Sequence, residues 1–180
     1  EEGAEDYRTE LALCHNEMGL LYGDSGKVDD ARTALQNALA IQEQLAEESP
    51  GNVRFLNNKA LTLGNLGWLE HEAGNSADAE PHFLAAVQIQ QQLAEAHPEE
   101  LEYQSALGVT FNNLTIFYAK INTQRAKEAC EKALAIQERL TGTQPESIKY
   151  LSDLGISYSN LGTLQGHSGR VAEAIEAYHQ

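Results

Sequence analysis

The eight residues Ala133–Leu140 read ALAIQERL, and similar stretches lie at residues 38–45 (ALAIQEQL) and 86–93 (AVQIQQQL). The alanine, isoleucine and leucine that open, centre and close the stretch keep their places in all three copies. Apolar residues that are three and four positions apart fall on one face of an α-helix. The sequence therefore predicts an amphipathic helix that recurs along the chain.

The distance between the copies defines an internal repeat. Pro50, Pro98 and Pro145 are 48 and 47 residues apart, and each follows a copy of this helix. A first helical pattern, a turn and the second helix fill the interval between prolines, and periods of 20–50 residues are typical of solenoids. We predict an all-α, right-handed solenoid of four helix-turn-helix repeats of 47–48 residues, the last one truncated. These form a single domain over residues 1–180, with repeats at about 5–53, 54–101, 102–148 and 149–180.

The third repeat is one residue shorter than the others. The missing residue lies between Tyr118 and Ala126, where Asn122 is aligned with the turn glycines of the other copies. Asparagine tolerates the left-handed backbone that glycine adopts in turns. We expect Asn122 to take this conformation. The matching glycines are Gly26, Gly74 and Gly169.

Composition and charge narrow the class of partner. The chain has 27 acidic and 12 basic residues, a net charge of −15. Nucleic acids and anionic membranes require basic patches, so neither is an expected partner. Residues 1–53 carry −9 and residues 54–101 carry −5, whereas the remainder is close to neutral. We expect a protein or peptide partner whose basic end lies over the first two repeats, although an acidic surface that only maintains solubility is an equally good interpretation.

The remaining composition indicates a protein of the cytoplasm. No run of 18 apolar residues is present, and the chain begins without a signal peptide. Cys14 and Cys130 lie in helical patterns and are expected to be two buried thiols in a reducing compartment. No histidine lies at metal-ligand spacing with a carboxylate, so we expect no metal and no cofactor. Because Met18 is the only methionine, we expect the chain to be a piece of a longer protein.

The repeats resemble the tetratricopeptide repeat, whose pattern is an aromatic, Leu-Gly, Tyr, then Ala and an aromatic. The period exceeds the family's 34 residues by 14, as in the kinesin-light-chain type. Small residues are expected where helices approach closely, and Thr115 is the one misfit. The matching positions are His15, Met18-Gly19, Tyr22, Ala31 and Leu35; Leu63, Leu66-Gly67, Glu70, Ala79 and Phe83; Phe111, Leu114-Thr115, Tyr118, Ala126 and Cys130; and Tyr158, Leu161-Gly162, Gln165, Ala174 and Tyr178.

The resemblance implies that the first helix of each repeat lines a concave groove. The groove stripe of these helices alternates apolar residues with amides, which bond an extended peptide backbone while apolar neighbours form side-chain pockets. The alternative is that the amides bond neighbouring helices and the apolar residues pack between them. In this family, a carboxylate clamp binds the C-terminus of a peptide through Lys and Arg side chains on this stripe. Lys120 is the only lysine there, so we do not expect such a clamp. The predicted peptide-binding residues are Asn16, Leu61, Asn65, Trp68, Val109, Asn112, Asn113, Ile116, Lys120 and Asn160.

The function that these features favour is a non-catalytic scaffold that binds an extended peptide or partner segment in the groove. Two alternatives are a self-associating module, because an open stack exposes apolar ends, and a regulatory or docking region of a larger enzyme such as a protein kinase. The segment Gly23–Lys27 (GDSGK) resembles a protease segment and a phosphate loop. It follows a helix and falls on an inter-helix turn, so we expect no catalytic role and no enzyme.

Overall fold

The chain folds into consecutive antiparallel helix pairs. The structure, a computed structural model, describes residues 2–167 and the side chains of residues 5–166. Within that range it has helices and no strand, which confirms the predicted all-α fold of helix-turn-helix repeats. The predicted second helix of the fourth repeat, with Ala174 and Tyr178, lies outside the described residues. The helices are α1 Glu2–Asp24, α2 Val28–Glu48, α3 Val53–Glu72, α4 Ser76–Ala96, α5 Leu101–Ala119, α6 Thr123–Thr143 and α7 Ile148–His167.

The second helix of each described pair is longer than the 34-residue repeat allows. Helices α2, α4 and α6 each have 21 residues, as expected from the extended period. Pro50, Pro98 and Pro145 lie in the connections that follow them. The residue before a proline avoids the helical conformation, so each proline keeps the second helix from running into the next pair.

The turns within the pairs show how the shorter third repeat is accommodated. Gly26 and Gly74 have positive φ angles of 72° and 80°. Asn122 was expected to do the same, and this prediction was wrong: its φ is −152°, and its side chain caps α6 by accepting from the Arg125 N–H. Asn122 precedes its helix directly, as Asn75 does. The deleted residue is therefore the left-handed glycine itself.

The chain divides into two compact units. The first unit extends to Leu93 and the second begins at Ala94. In the first unit, Ala31 and Leu35 of α2 form a buried cluster with Leu66 and Leu69 of α3. In the second unit, α5 buries the aromatic residues Phe111 and Phe117, and α6 buries the alanines Ala126, Ala129 and Ala133.

Two glycines mark the closest approach of paired helices in the first unit. A Cβ atom on Gly19 would lie 2.5 Å from Leu35 Cγ, and one on Gly67 would lie 2.7 Å from Phe83 Cδ1. Both distances are shorter than packed atoms tolerate. In the third pair Thr115 replaces the glycine, and the residue in register with Leu35 and Phe83 is the smaller Cys130. Thr115 and Cys130 are both buried, so the misfit is compensated by a smaller partner.

The first helix exposes side chains that were expected to be interior. Cys14 is exposed, which corrects the prediction of two buried thiols, while Cys130 is buried as expected. Burial raises the pKa of the Cys130 thiol to about 11. Met18 of the apolar stripe is 43% exposed, whereas its counterpart Leu66 is 1% exposed. No helix pair precedes α1 among the described residues, so solvent covers the face that α3 buries against the first pair.

The segment Gly23–Lys27 forms the predicted inter-helix turn. The Ser25 hydroxyl donates to the Leu21 carbonyl at 2.8 Å, and the Lys27 ammonium lies over the Tyr22 ring. The described residues contain no group of three or more metal-ligating side chains close enough to hold an ion. None of the described helices is both long enough and apolar enough to cross a membrane.

Candidate functional site

In the first unit, residues of the predicted stripe lie at the surface of α1 and α3. Leu20 and Leu61 are 40% and 41% exposed. Asn65 and Trp68 are half-buried on α3. The Trp68 indole packs at a tilt against His71, with ring centroids 5.4 Å apart. On α3 the stripe thus presents one apolar side chain, Leu61 or Trp68, on each side of the Asn65 amide.

In the second unit, the same order of side chains recurs on α5 and α7. Val109 and Ile116 are exposed on α5, and Ile156 is exposed on α7. Asn113 and Asn160 are half-buried, and Lys120 is an exposed residue that caps the C-terminus of α5. Each unit therefore carries its own exposed apolar residues with half-buried amides between them.

An amide pair joins the two first helices within the first unit. Asn65 Nδ2 donates to Asn16 Oδ1 at 3.0 Å, and the Thr62 hydroxyl donates to the same oxygen at 3.1 Å. Asn16 is half-buried and Thr62 is buried. These bonds fix the Asn65 side chain, because one of its N–H groups is held by α1.

The equivalent pair joins α5 to α7 in the second unit. Asn160 Nδ2 donates to Asn112 Oδ1 at 3.2 Å, and Asn112 Nδ2 donates to Ser157 Oγ at 2.9 Å. The interpretation that these amides bond neighbouring helices is therefore correct for both pairs. Among the described residues, however, the Oδ1 atoms of Asn65 and Asn160 accept no hydrogen bond. Each amide is thus anchored by its nitrogen and keeps an acceptor for a ligand.

Asn112 was predicted to lie on the ligand-binding surface, and the structure does not place it there. Its exposed fraction is 3%, and both ends of its amide are used between α5 and α7. A buried side-chain amide needs partners inside the protein, and Asn112 has found them. Asn112 therefore positions Asn160 and does not face a ligand.

Thr62 and Ser157 belong to the same arrangement but were not among the predicted site residues. Residues 62, 110 and 157 are Thr, Thr and Ser at the repeat spacing, and all three are buried. A small hydroxyl residue that recurs in an otherwise apolar helical stripe is the signal that could have identified them. Thr110 instead donates to the Ala106 carbonyl, so the hydroxyl has different partners in different repeats.

A cavity of about 300 Å³ opens between α1 and α3 in the first unit. Leu20, Trp68 and Leu69 give it apolar walls, and Asn65 contributes an amide. Gly19 and Gly23 of α1 also line it, so the missing side chains of α1 leave the space. Leu35 of α2 and two carboxylates, Asp24 and Glu72, complete the lining.

A buried ion pair holds the C-terminal half of α3 against α2. Glu70 is only 3% exposed, and its carboxylate accepts from Arg32 Nε at 2.5 Å and from Arg32 Nη2 at 3.1 Å. Asn75 Nδ2 donates to the same carboxylate at 2.7 Å. The Arg32 hydrogen bonds hold the pKa of Glu70 below its usual value, against the opposing effect of burial. This network fixes the segment of α3 that carries Trp68 and Glu72.

Comparisons with solved structures place this architecture among known folds. The crystal structure of BtubC (BKLC) from P. vanneervenii superimposes with a TM-score of 0.71 and 21% identity, over 93% of this chain and 60% of that chain. The chain thus spans 60% of the length of BtubC. The thermophilic TPR protein TTC0263 from Thermus thermophilus gives a TM-score of 0.49 at 17% identity, over 93% of this chain and 88% of that chain.

Comparisons with sequence families concern the first two repeats. No curated protein sequence matches the chain. The family model described as the tetratricopeptide repeat matches residues 8–92, which contain most of α1 and all of α2 and α3. This family generally serves as a protein-interaction scaffold and is typically non-catalytic. Residues 8–92 are therefore similar to the tetratricopeptide repeat family. The likeness to BtubC extends the helix-pair fold over 93% of this chain.

Proposed function

We propose that the chain is a non-catalytic scaffold that binds an extended peptide or partner segment along the exposed stripe of its first helices. The observation that carries the proposal is the anchored amide. Asn65 in the first unit and Asn160 in the second are bonded through their nitrogens to the neighbouring first helix, and their oxygens accept no hydrogen bond from any described residue. Such an amide is preorganised to accept from a peptide N–H, and binding then orders little further.

The apolar neighbours of the amides support the same proposal. Leu61 and Trp68 are separated from Asn65 by four and three residues on α3, so all three share one helix face. On α7, Ile156 lies four residues before Asn160, as Leu61 lies four residues before Asn65 on α3. A peptide backbone bonded to the amides would place alternate side chains against these surfaces. Asn113, Val109, Ile116 and Lys120 provide the corresponding surface on α5.

The test is a peptide-display selection on the whole chain, followed by affinity measurements with a variant that lacks the amides. Replacing Asn65, Asn113 and Asn160 by alanine should weaken binding of a selected peptide by more than about tenfold, or 1.4 kcal/mol. The emission of Trp68, the only tryptophan, reports binding. Unchanged affinity in a variant of unchanged helicity would refute the proposal.

The control removes three amides elsewhere on the surface. Asn37 of α2 and Gln88 and Gln92 of α4 are exposed and lie outside the stripe. Replacing these three by alanine removes the same number of side-chain amides, and we expect the peptide affinity to stay within about twofold of the wild-type value.

A second candidate function, self-association, is favoured by a different observation. Tyr7, Met18 and Leu21 of α1 are 69%, 43% and 65% exposed, whereas their counterparts Phe55, Leu66 and Leu69 are 4%, 1% and 7% exposed. The surface that α3 buries against the first pair is therefore open on α1 and fits the helix pair of a second copy. Sedimentation at increasing concentration should show a dimer that Leu21→Glu abolishes. A monomer at all concentrations would exclude it.

A further inference from the structure

The cavity between α1 and α3 combines two features that recognise one kind of side chain. Its lining combines apolar side chains, of which Trp68 is the largest, with the carboxylates of Asp24 and Glu72. A volume of about 300 Å³ lies at the lower end of the range for ligand pockets, roughly 300–1,000 Å³. The space suits one large side chain and not a folded ligand.

Among the residues that the structure describes, no cation pairs with the carboxylate of Asp24 or of Glu72. Both side chains are exposed. Trp68 adds the negative face of an indole ring, which attracts a cation placed over it. The cavity therefore offers apolar contacts to the stem of a bound side chain and a negatively charged environment to its end.

We propose that this cavity binds an arginine or lysine side chain of the partner peptide, with the aliphatic stem against Trp68 and Leu20 and the charged end at Asp24 and Glu72. The inference rests on the proposed peptide-binding function and adds its specificity. The residue before Trp68 on the stripe, Asn65, also lines the cavity, so the anchored amide and the cavity would contact neighbouring parts of one peptide.

The second unit provides an internal comparison. At the repeat spacing, Gly19 corresponds to Thr115 and Asp24 corresponds to Lys120. A β-branched residue therefore replaces one of the glycines, and a cation replaces one of the carboxylates. Basic specificity is consequently expected of the first unit alone, in line with the concentration of negative charge in residues 1–101.

The experiment uses random dodecapeptides displayed against the full chain, followed by synthetic versions of an enriched sequence. In the synthetic peptide the enriched arginine is replaced by citrulline, which keeps the shape and loses the charge. We expect the arginine peptide to bind the wild type at least about tenfold more tightly than the citrulline peptide, which corresponds to 1.4 kcal/mol. This preference should fall to about threefold or less in the Asp24→Asn, Glu72→Gln double variant.

Two further variants separate the cavity from general electrostatic attraction. Asp30→Asn with Glu47→Gln removes the same charge from exposed positions outside the cavity, and we expect the full arginine preference to remain. Gly23→Leu keeps the charge and fills the cavity, since a Cβ on Gly23 would meet only Leu69, 3.7 Å away. It should weaken the arginine peptide by about tenfold while melting with the wild-type profile.

The outcomes distinguish the inference from the function on which it rests. Enriched peptides without a preferred basic position, or a preference equal in both double variants, would overturn the cavity assignment and leave the peptide-binding function in place. Selection of no peptide at all would overturn both. An arginine preference lost only in Asp24→Asn, Glu72→Gln and in Gly23→Leu would establish the assignment.

Discussion

The Nδ2 group of Asn160 donates to Oδ1 of Asn112, 48 residues earlier, over 3.2 Å. Asn65 donates to Asn16 in the same way over 3.0 Å. A side-chain bond that recurs in both units, with the donor always on the later repeat, indicates a constraint shared by the repeats. The bond divides the amides into two kinds. Asn16 and Asn112 accept it, whereas Asn65 and Asn160 donate to it and keep an Oδ1 atom that accepts no bond from a described residue.

Replacing Asn112 by alanine should destabilise the protein more than replacing any exposed amide. The change removes one buried and one partly buried hydrogen bond, those to Ser157 and from Asn160, which costs about 1–3 kcal/mol. Urea unfolding followed by circular dichroism measures the loss. Asn37→Ala, on the exposed surface of α2, is the control and should be neutral. Equal effects of the two substitutions would contradict the assignment of Asn112 as a structural residue.

Gly67→Ala should destabilise the first unit, although alanine is the better helix former. The new Cβ would lie 2.7 Å from Phe83 Cδ1, and the Phe83 side chain is fully buried. Overpacking of this kind costs about 1–3 kcal/mol. Gly155→Ala on α7 makes the same substitution where no atom lies within 4 Å, and it should stabilise by up to about 1 kcal/mol. Thermal unfolding should therefore show shifts of opposite sign, and shifts of the same sign would argue against this helix contact.

The Arg32–Glu70 pair should make stability depend on acid pH. Because the folded pKa of Glu70 is lowered, the pair contributes fully above the ordinary glutamate pKa of about 4.3, and the contribution is lost as pH falls through the lower folded value. Glu70→Gln should cost about 1–3 kcal/mol at pH 7 and progressively less below pH 4. Urea unfolding of both proteins at pH 7 and pH 3 gives the difference.

The exposed Arg8–Glu48 pair is the control for that experiment. Its side chains are 29% and 53% exposed, so solvent screens the interaction. Glu48→Gln should change the stability little at either pH. A pH-independent effect of Glu70→Gln, or an equal effect of Glu48→Gln, would show that the buried network does not anchor α3.

The two thiols should differ in reactivity under native conditions. Cys14 is exposed, whereas Cys130 is buried and has its pKa raised to about 11, so little thiolate forms there at pH 8. A maleimide should label one site in the folded wild type and none in Cys14→Ser, and both cysteines once urea unfolds the chain. Rapid labelling of Cys130 in folded Cys14→Ser would contradict the buried position.

The helices could be predicted from the sequence because each signal is local. The spacing of Ala133, Ile136 and Leu140 specifies a helix face, and Pro145 ends the helix, whatever the rest of the chain does. The conformation of Asn122 was wrongly predicted because the one-residue deletion allows Asn122 to be aligned either with the turn glycine Gly74 or with the following Asn75. Only the backbone shows that the left-handed glycine is the residue removed.

The site could be predicted only in part, because helical spacing gives a direction and not a depth. Asn112 and Asn113 are adjacent, and their faces differ by one step of the helix, yet the first is buried and the second half-exposed. The depth depends on α7, whose Ser157 and Asn160 supply the partners. The cavity was equally hidden, since it depends on Gly19 and Gly23 lacking side chains opposite Trp68.

The most direct test of peptide recognition is a chemical-shift map of the side-chain amide and indole signals in a ¹⁵N-labelled chain titrated with a selected peptide. We expect shifts at the Trp68 indole N–H and at the side-chain amides of Asn65, Asn113 and Asn160, with no shift at Asn37 on α2. Shifts at Asn37 and unchanged signals on α3, α5 and α7 would contradict it, since the peptide would then bind the second helices.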